Sequence, residues 1–207
     1  MQHDVIIIGG SYAGLSAGLQ LARARRTVLV IDSGQRRNRS ATTSHGFLSR
    51  DGASPAQIAE TGRAQLLAYP SVQWADGQVT QLRGEAEAFE VTLADGSTHT
   101  ARRLVLAMGV VDRLPALAGL AQRWGTQVFV CPYCHGYELG QGRIGVLATS
   151  AFAVHQAAML PDWGATQLFL NDAVVLDEAQ HAHLQARGVQ VVGGAVAALR
   201  GDGDVLE

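Results

Sequence analysis

Cysteine is scarce in this chain: there are two in 207 residues, both within Cys131-Pro-Tyr-Cys134. A pair so close in sequence cannot staple distant parts of a fold, which excludes a disulfide-held scaffold. An excess of either charge is lacking too. Lys and Arg number 16 and Asp and Glu 18, for a net charge of −2. That balance offers no basic face for nucleic acid and no polybasic patch for anionic lipid. No apolar run approaches the roughly 20 residues of a membrane span. The early run "DVIII" is acidic at its start and followed by glycines, unlike the basic, cleavable pattern of an export signal. These absences predict one or two domains in the cytoplasm, with neither nucleic acid nor membrane as partner. In that setting a close cysteine pair points to redox chemistry or to half of a metal site.

What the chain does have is apolar residues, at 47%, and glycine, at 24 residues, many of them where strands meet helices. "DVIII" (4–8) reads as a buried parallel strand. "GGSYAG" follows, then a helical stretch through Arg26, then the strand "TVLVID" ending in Asp32. Strand, glycine turn, helix, strand and acid in that order make a βαβ unit of the dinucleotide-binding type. Residues 33–56 read as a long loop and 56–68 as a helix. "FEVTLADGSTHTARRLVLA" predicts a hairpin about Asp95-Gly96 and a return strand. Residues 115–127 read as a connection or short helix. The layout then restarts: strand "RIGVL", helix "ATSAFAVHQAAML", strand "TQLFL", helix "DEAQHAHLQARG", strand "VQVV". "VAALRGDGDVLE" (196–207) repeats the pattern of "VTQLRGEAEAFE" (79–90). The fold class is therefore α/β, with two Rossmann-like three-layer units over 1–114 and 115–207. The repeat predicts that the second unit lacks its last strand and is incomplete at its C-terminus. It also predicts a hairpin turn at "GDGD" (201–204).

In a Gly-x-Gly-x-x-Gly turn the glycines permit a sharp bend, close approach of a pyrophosphate and tight helix packing. Here Gly9, Gly10 and Gly14 are present and Ser11 replaces the middle glycine. Asp32 stands where a carboxylate accepts hydrogen bonds from a ribose diol. The bland alternative is an ordinary βα turn. The second unit departs further. Ala148 falls at the first glycine position, and a Cβ there costs on the order of 1 kcal/mol if φ is positive. Asp172 would repel a 2′-phosphate, so NADPH is a doubtful second cofactor.

The cysteine motif, next to an expected strand "QVFV" (127–130), admits three readings. Zinc wants three or four ligands; only His135 is near and "HAH" (181–183) reads as a solvated face, so no metal site is expected. "CPYC" is also compatible with a glutaredoxin, whose cysteines precede a long helix, but three glycines in "HGYELGQGR" break that periodicity. A redox dithiol working with the upstream nucleotide fits best. His135 next to it suits proton transfer with a thiol near neutral pH, with Glu138 a candidate to orient it. The alternative is a spacer without a catalytic role.

The strings "DVIIIGGSYAGLSAGLQLARARRTVLVID", "NRSATTSHGFLSRDG", "LVLAMG" and "CPYCHGYE" together resemble the thioredoxin-reductase-like flavoproteins of the pyridine nucleotide–disulfide oxidoreductase superfamily. The last string is closest to the branch of gliotoxin-type dithiol oxidases. The resemblance implies FAD on the first unit, through Gly9, Gly10, Ser11, Gly14 and Asp32, with His45 and Gly109 near the cofactor. For His45 the alternative is a loop histidine bonded to backbone. It implies that Cys134 exchanges electrons with the flavin, that Cys131 is the outer interchange thiol, and that His135 replaces the acid/base carboxylate. Met108 departs from the family threonine. The expected activity is FAD-dependent oxidation of a small dithiol with oxygen as acceptor. The alternatives are an NADPH-dependent reductase of a thioredoxin-like protein and a non-catalytic redox sensor. A homodimer is implied as well.

Overall fold

The computed structural model describes residues 2–201 and 206. Internal packing divides the chain into two units: Met1–Thr43 with Gly52–Val111, and Ser44–Asp51 with Asp112–Glu207.

The first unit runs β1 (Gln2–Ile8), α1 (Tyr12–Arg23), β2 (Val28–Asp32), α2 (Pro55–Leu67), β3 (Val72–Asp76), β4 (Val79–Glu85), β5 (Ala88–Leu93) and β6 (Thr98–Leu106). The sheet order is β3-β2-β1-β6-β5-β4. β3, β2, β1 and β6 are parallel; β5 and β4 join antiparallel. The unbroken apolar run of β1 follows from burial on both faces, because successive side chains of a strand point to opposite sides. Val5 and Ile7 pack with Leu15, Ala22 and Leu66 of the helices. Ile6 and Ile8 pack with Val91, Leu93 and Ala101 of the returning strands. The layers are thus helices, parallel sheet and antiparallel meander.

Small residues set how closely the helices approach. Gly14, Gly18 and Ala22 are buried along one face of α1, at the i, i+4, i+8 spacing of a helical stripe. A Cβ on Gly18 would lie 2.9 Å from Leu66 Cδ2 of α2, tighter than packing allows without a shift. α2 starts where the sequence signals it: Ser54 Oγ accepts from Gln57 N at 3.2 Å and Pro55 takes the first helical position. Such a cap is worth about 1 kcal/mol. The Asp95-Gly96 turn forms as expected, with Gly96 at φ +85° and Leu93 N donating to Ser97 O at 2.9 Å.

The second unit runs α3 (Leu120–Arg123), α4 (Pro132–His135), a 3₁₀ turn (Tyr137–Leu139), β7 (Gln141–Leu147), α5 (Phe152–Met159), β8 (Gly164–Phe169), α6 (Glu178–Ala186) and β9 (Gln190–Val192). Its sheet is β7-β8-β9, parallel throughout. Val146, Ala153, Val154, Ala157, Leu168 and Leu184 form a separate core. α6 opens on a capping box: Gln180 N donates to Asp177 Oδ1 at 2.7 Å and Asp177 N to Gln180 Oε1 at 3.0 Å. The mixed α/β Rossmann-like class read from the sequence is the fold observed.

Two local expectations fail. "QVFV" before the cysteines is no strand; it carries only an isolated bridge between Trp124 and Val128. The second copy of the repeat does not build a meander in its described part. Residues 196–201 hold one bridge, Ala118 to Ala198, and Leu199 N donates to Ala118 O at 2.8 Å. Asp202, Gly203 and Asp204 of the expected "GDGD" turn lie outside the described residues.

Candidate active site

The glycine turn of the first unit is a cradle with no room for side chains. Gly9 adopts φ +106°, and a Cβ on it would run into the carbonyl of Ala107, beyond the end of β6. A Cβ on Gly14 would run into the carbonyl of Gly9, and one on Gly10 into the Trp74 ring. Ser11 caps α1 without a side-chain hydrogen bond, and no acidic residue lies in the first turn. The turn thus leads straight into the positive end of the α1 dipole, where a negative group is favoured. Asp32 ends β2 and its Oδ1 accepts from Gly10 N at 2.9 Å, so the acid pins the turn. Beyond it an open recess of about 270 Å³ is lined by Asp32, Ser33, Gly34, Gln35, Asp76, Gly77 and Gln78. A helix N-terminus, crowded glycines, a carboxylate and a recess at the carboxyl ends of β2 and β3 fit a dinucleotide such as FAD.

The loop after β2 is tied down from α1. Asn38 Nδ2 donates to Tyr12 Oη at 3.0 Å, and Tyr12 Oη donates to Pro55 O at 3.2 Å. Trp74 Nε1 donates to Asp76 Oδ1 at 2.8 Å, with the Arg63 guanidinium 4.2 Å over its ring. Neither Trp74 nor Asn38 was expected from the sequence. What places them at the turn lies far off in the chain: Asn38 meets Tyr12, 26 residues away, and the Trp74 ring stands against Gly10.

The dithiol sits on one short turn of the second unit. Cys131 caps α4, Pro132 is its first residue, and Cys131 Sγ and Cys134 Sγ lie 2.6 Å apart. His135 stacks on Phe129, with ring centroids 4.5 Å apart. Burial pushes the His135 imidazole below its ordinary pKa; the Glu138 carboxylate pulls upward and His45 adds to the lowering. Glu138 does not orient His135 as its spacing suggested. It faces His45 instead, at 3.4 Å from Nε2, while Asp51 Oδ1 lies 3.6 Å from Nδ1. Underneath, Gly136 admits Trp163: a Cβ there would come within 2.5 Å of Trp163 Cδ1. Trp163 also meets Tyr133 edge-on, at 5.1 Å.

The corresponding turn of the second unit is closed on itself. Ala148 is fully buried. Asn171, just beyond β8, donates from Nδ2 to Ala148 O at 3.2 Å and accepts from Val196 N at 3.0 Å. Asn171 and Asp172 both have positive φ.

The expected residues therefore fall into two groups. Gly9, Gly10, Ser11, Gly14 and Asp32 meet in the first unit. Gly109, at φ +67°, follows Ala107 at the same end of its sheet. Cys131, Cys134 and His135 share one turn of the second unit. His45 belongs to the same unit, beside Glu138.

Residues 3–207 match the family described as pyridine nucleotide-disulphide oxidoreductase. A probable thioredoxin reductase of Arthroderma benhamiae is 36% identical over 152 residues, covering 70% of this chain and 38% of that protein. A thioredoxin reductase of Claviceps purpurea is 38% identical over 148 residues, covering 70% and 46%. The chain thus spans less than half the length of these two curated relatives. The crystal structure of an oxidoreductase from Agrobacterium tumefaciens superposes with a TM-score of 0.94 at 55% identity, over 97% of this chain and 68% of that one.

Proposed function

The chain belongs to the pyridine nucleotide-disulphide oxidoreductase family, and from that premise we propose an FAD-dependent dithiol–disulfide oxidoreductase that oxidises a small dithiol with oxygen as final acceptor. The observation that carries the reading is the pair of sulfurs 2.6 Å apart on a turn that continues directly into a half-buried imidazole.

Membership implies FAD, and the first unit offers the residues to hold it. The turn at Gly9, Gly10 and Ser11 and the start of α1 would hold the pyrophosphate, and Asp32 would accept from a ribose hydroxyl. When bound, FAD supplies a two-electron acceptor for the reduced cysteine pair. The remaining chemistry belongs to the protein. A substrate thiol loses its proton to His135, whose burial keeps it neutral and ready to accept one. The thiolate attacks Cys131 Sγ of the oxidised pair, forming a mixed disulfide and releasing Cys134 as thiolate. The second substrate thiol, deprotonated in turn, attacks the substrate sulfur of that bond and releases Cys131. One S–S bond is broken in the protein and one is made in the substrate. Two electrons and two protons pass to the cysteines, and His135 returns its proton to a cysteine sulfur.

A second reading, NADPH-dependent reduction of a thioredoxin-like protein, is favoured by what the relatives are called. Ala148, the Asn171 bridge and Asp172 weigh against it. The two readings part under anaerobic conditions. Dithiothreitol should bleach the flavin of the FAD-bound protein and NADPH should not; admitting oxygen should restore the colour. Cys131→Ser and Cys134→Ser should each abolish dithiol oxidation. Bleaching by NADPH would establish the reductase instead. Flavin binding without dithiol turnover would leave a redox sensor.

A further inference from the structure

His135 stands at the end of α4, and α4 alone is a weak support for it. The helix is four residues long, too short to gain much from its own cooperativity. Its closing bond runs from Gly136 N to Pro132 O, at 2.6 Å. What meets the imidazole is Phe129, which precedes the cysteine motif. The two rings stack with centroids 4.5 Å apart and planes 24° from parallel. Phe129 is in turn presented by a pinned backbone. Val128 N donates to Arg123 O at 3.0 Å, and Val128 O accepts from Gly125 N at 2.9 Å. Gly125 sits at φ +81°, a conformation that favours glycine. Arg123 is anchored by its own guanidinium, which donates to Gly119 O and Gly201 O at 3.0 and 2.8 Å.

We infer that Phe129 is a positioning residue of the dithiol site: its ring holds the His135 imidazole in place on the cysteine turn and shields one face of it from water. The inference rests on reading His135 as the base. Two effects oppose each other at such a stack. Displacing water from an imidazole disfavours its charged form, whereas the face of an aromatic ring attracts a cation. Burial is the largest influence on His135 and lowers its pKa; Glu138 raises it and His45 lowers it. The titratable groups around the imidazole are thus Glu138 of the 3₁₀ turn, His45, and the thiols of its own turn. Phe129 adds no charge to them, so what it contributes is shielding and orientation. Orientation matters because a base must lie within hydrogen-bond reach of the proton it takes, and a stacked ring has fewer rotamers open to it.

NMR titration of the His135 ring protons in the full chain, with the cysteines reduced, reads both contributions and needs no turnover. In the parent those protons should resonate upfield, under the ring current of Phe129, and titrate below the ordinary midpoint near 6.5. Phe129→Leu keeps an apolar side chain and removes the ring. It should abolish the upfield shift, move the midpoint up, and lower kcat for dithiothreitol oxidation about tenfold with flavin still bound. Phe129→Tyr keeps a ring and should keep the upfield shift and the low midpoint. A merely structural role would lower Tm in Phe129→Leu and leave the midpoint where it was. An unmoved midpoint overturns the inference. So does a downward one, which would mean that the ring draws the imidazolium to its face. Should Phe129→Leu fail to fold, Phe129→Met, apolar and unbranched, decides by the same criteria. An undiminished kcat in Phe129→Leu also overturns the inference where His135→Ala is impaired. Failure of the base reading looks different: His135→Ala would then oxidise dithiothreitol at the parent rate, while loss of the Phe129 ring still moves the His135 resonances and midpoint.

Discussion

At Gly14 the α1 backbone passes so close to Gly9 that a methyl group would displace a carbonyl. Gly14→Ala should therefore lower stability by about 1–3 kcal/mol and weaken FAD binding, read as a fall in Tm together with a loss of flavin absorbance in the purified protein. His135 gives a prediction of another kind. Its pKa is lowered in the folded protein, so it is neutral, and active as a base, down to a pH below its ordinary value near 6.5. The rate of dithiol oxidation should fall only on the acid side of that value. His135→Ala should lose about 10²-fold or more and lose that limb, with FAD still bound. The glycine turn with Asp32 at the end of β2 was legible in the sequence, because strand, turn, helix and strand follow in a known order, and so was the grouping of Cys131, Cys134 and His135 on one turn. The pairing of His45 with Glu138 was not. Nothing in either segment marks the other, and the three-residue spacing of Glu138 from His135 gives no sign of His45.

At the level of elements, α4 is too short to stand alone and is positioned from below by Trp163. Gly136→Ala puts a Cβ against both Trp163 Cδ1 and Pro132 O, at 2.5 and 2.6 Å. It should cost about 1–3 kcal/mol and slow dithiol oxidation through misplacement of the turn, with kcat falling more than the amount of bound flavin. Central β1 carries a different liability. His3 is buried, and burial, with His99 and the N-terminus adding, lowers its pKa. A group of lowered pKa binds its proton more readily once unfolded, so stability is lost as pH falls through the unfolded value near 6.5. Melting temperature should drop from neutral pH toward pH 5, and less so in His3→Gln. The β-strands of the parallel core were legible from their apolar runs. "QVFV" read as one and is not: Val128 bridges only to Trp124, and Phe129 stacks on His135. The repeat also misled. Leu-Arg-Gly lies in a strand at 82–84, whereas Leu199 is engaged with Ala118 instead. A sequence match does not carry its pairing partner with it.

Across the molecule the two βαβ turns have opposite chemistry. The first is open, with an acid pinning a glycine amide; the second is closed by Asn171. Added FAD at roughly 100 times Kd should stabilise the fold by about 2.7 kcal/mol and so raise Tm, and NADPH should leave it unchanged. A thermal shift with each nucleotide checks this independently of turnover. The order of the first sheet has one more consequence. β1 holds the middle of that sheet, but one of its two neighbours is β6, with Gln2 opposite Thr100 and Ile8 opposite Leu106. β1 thus waits for a strand made roughly a hundred residues later, Gln2 pairing with Thr100. During synthesis, while β6 is still inside the ribosome, the flank of Val5–Ile8 is an open template of hydrogen-bonding groups. Closing so distant a pair is slow, so the first unit is most exposed to mispairing in that interval and gains most from a chaperone there.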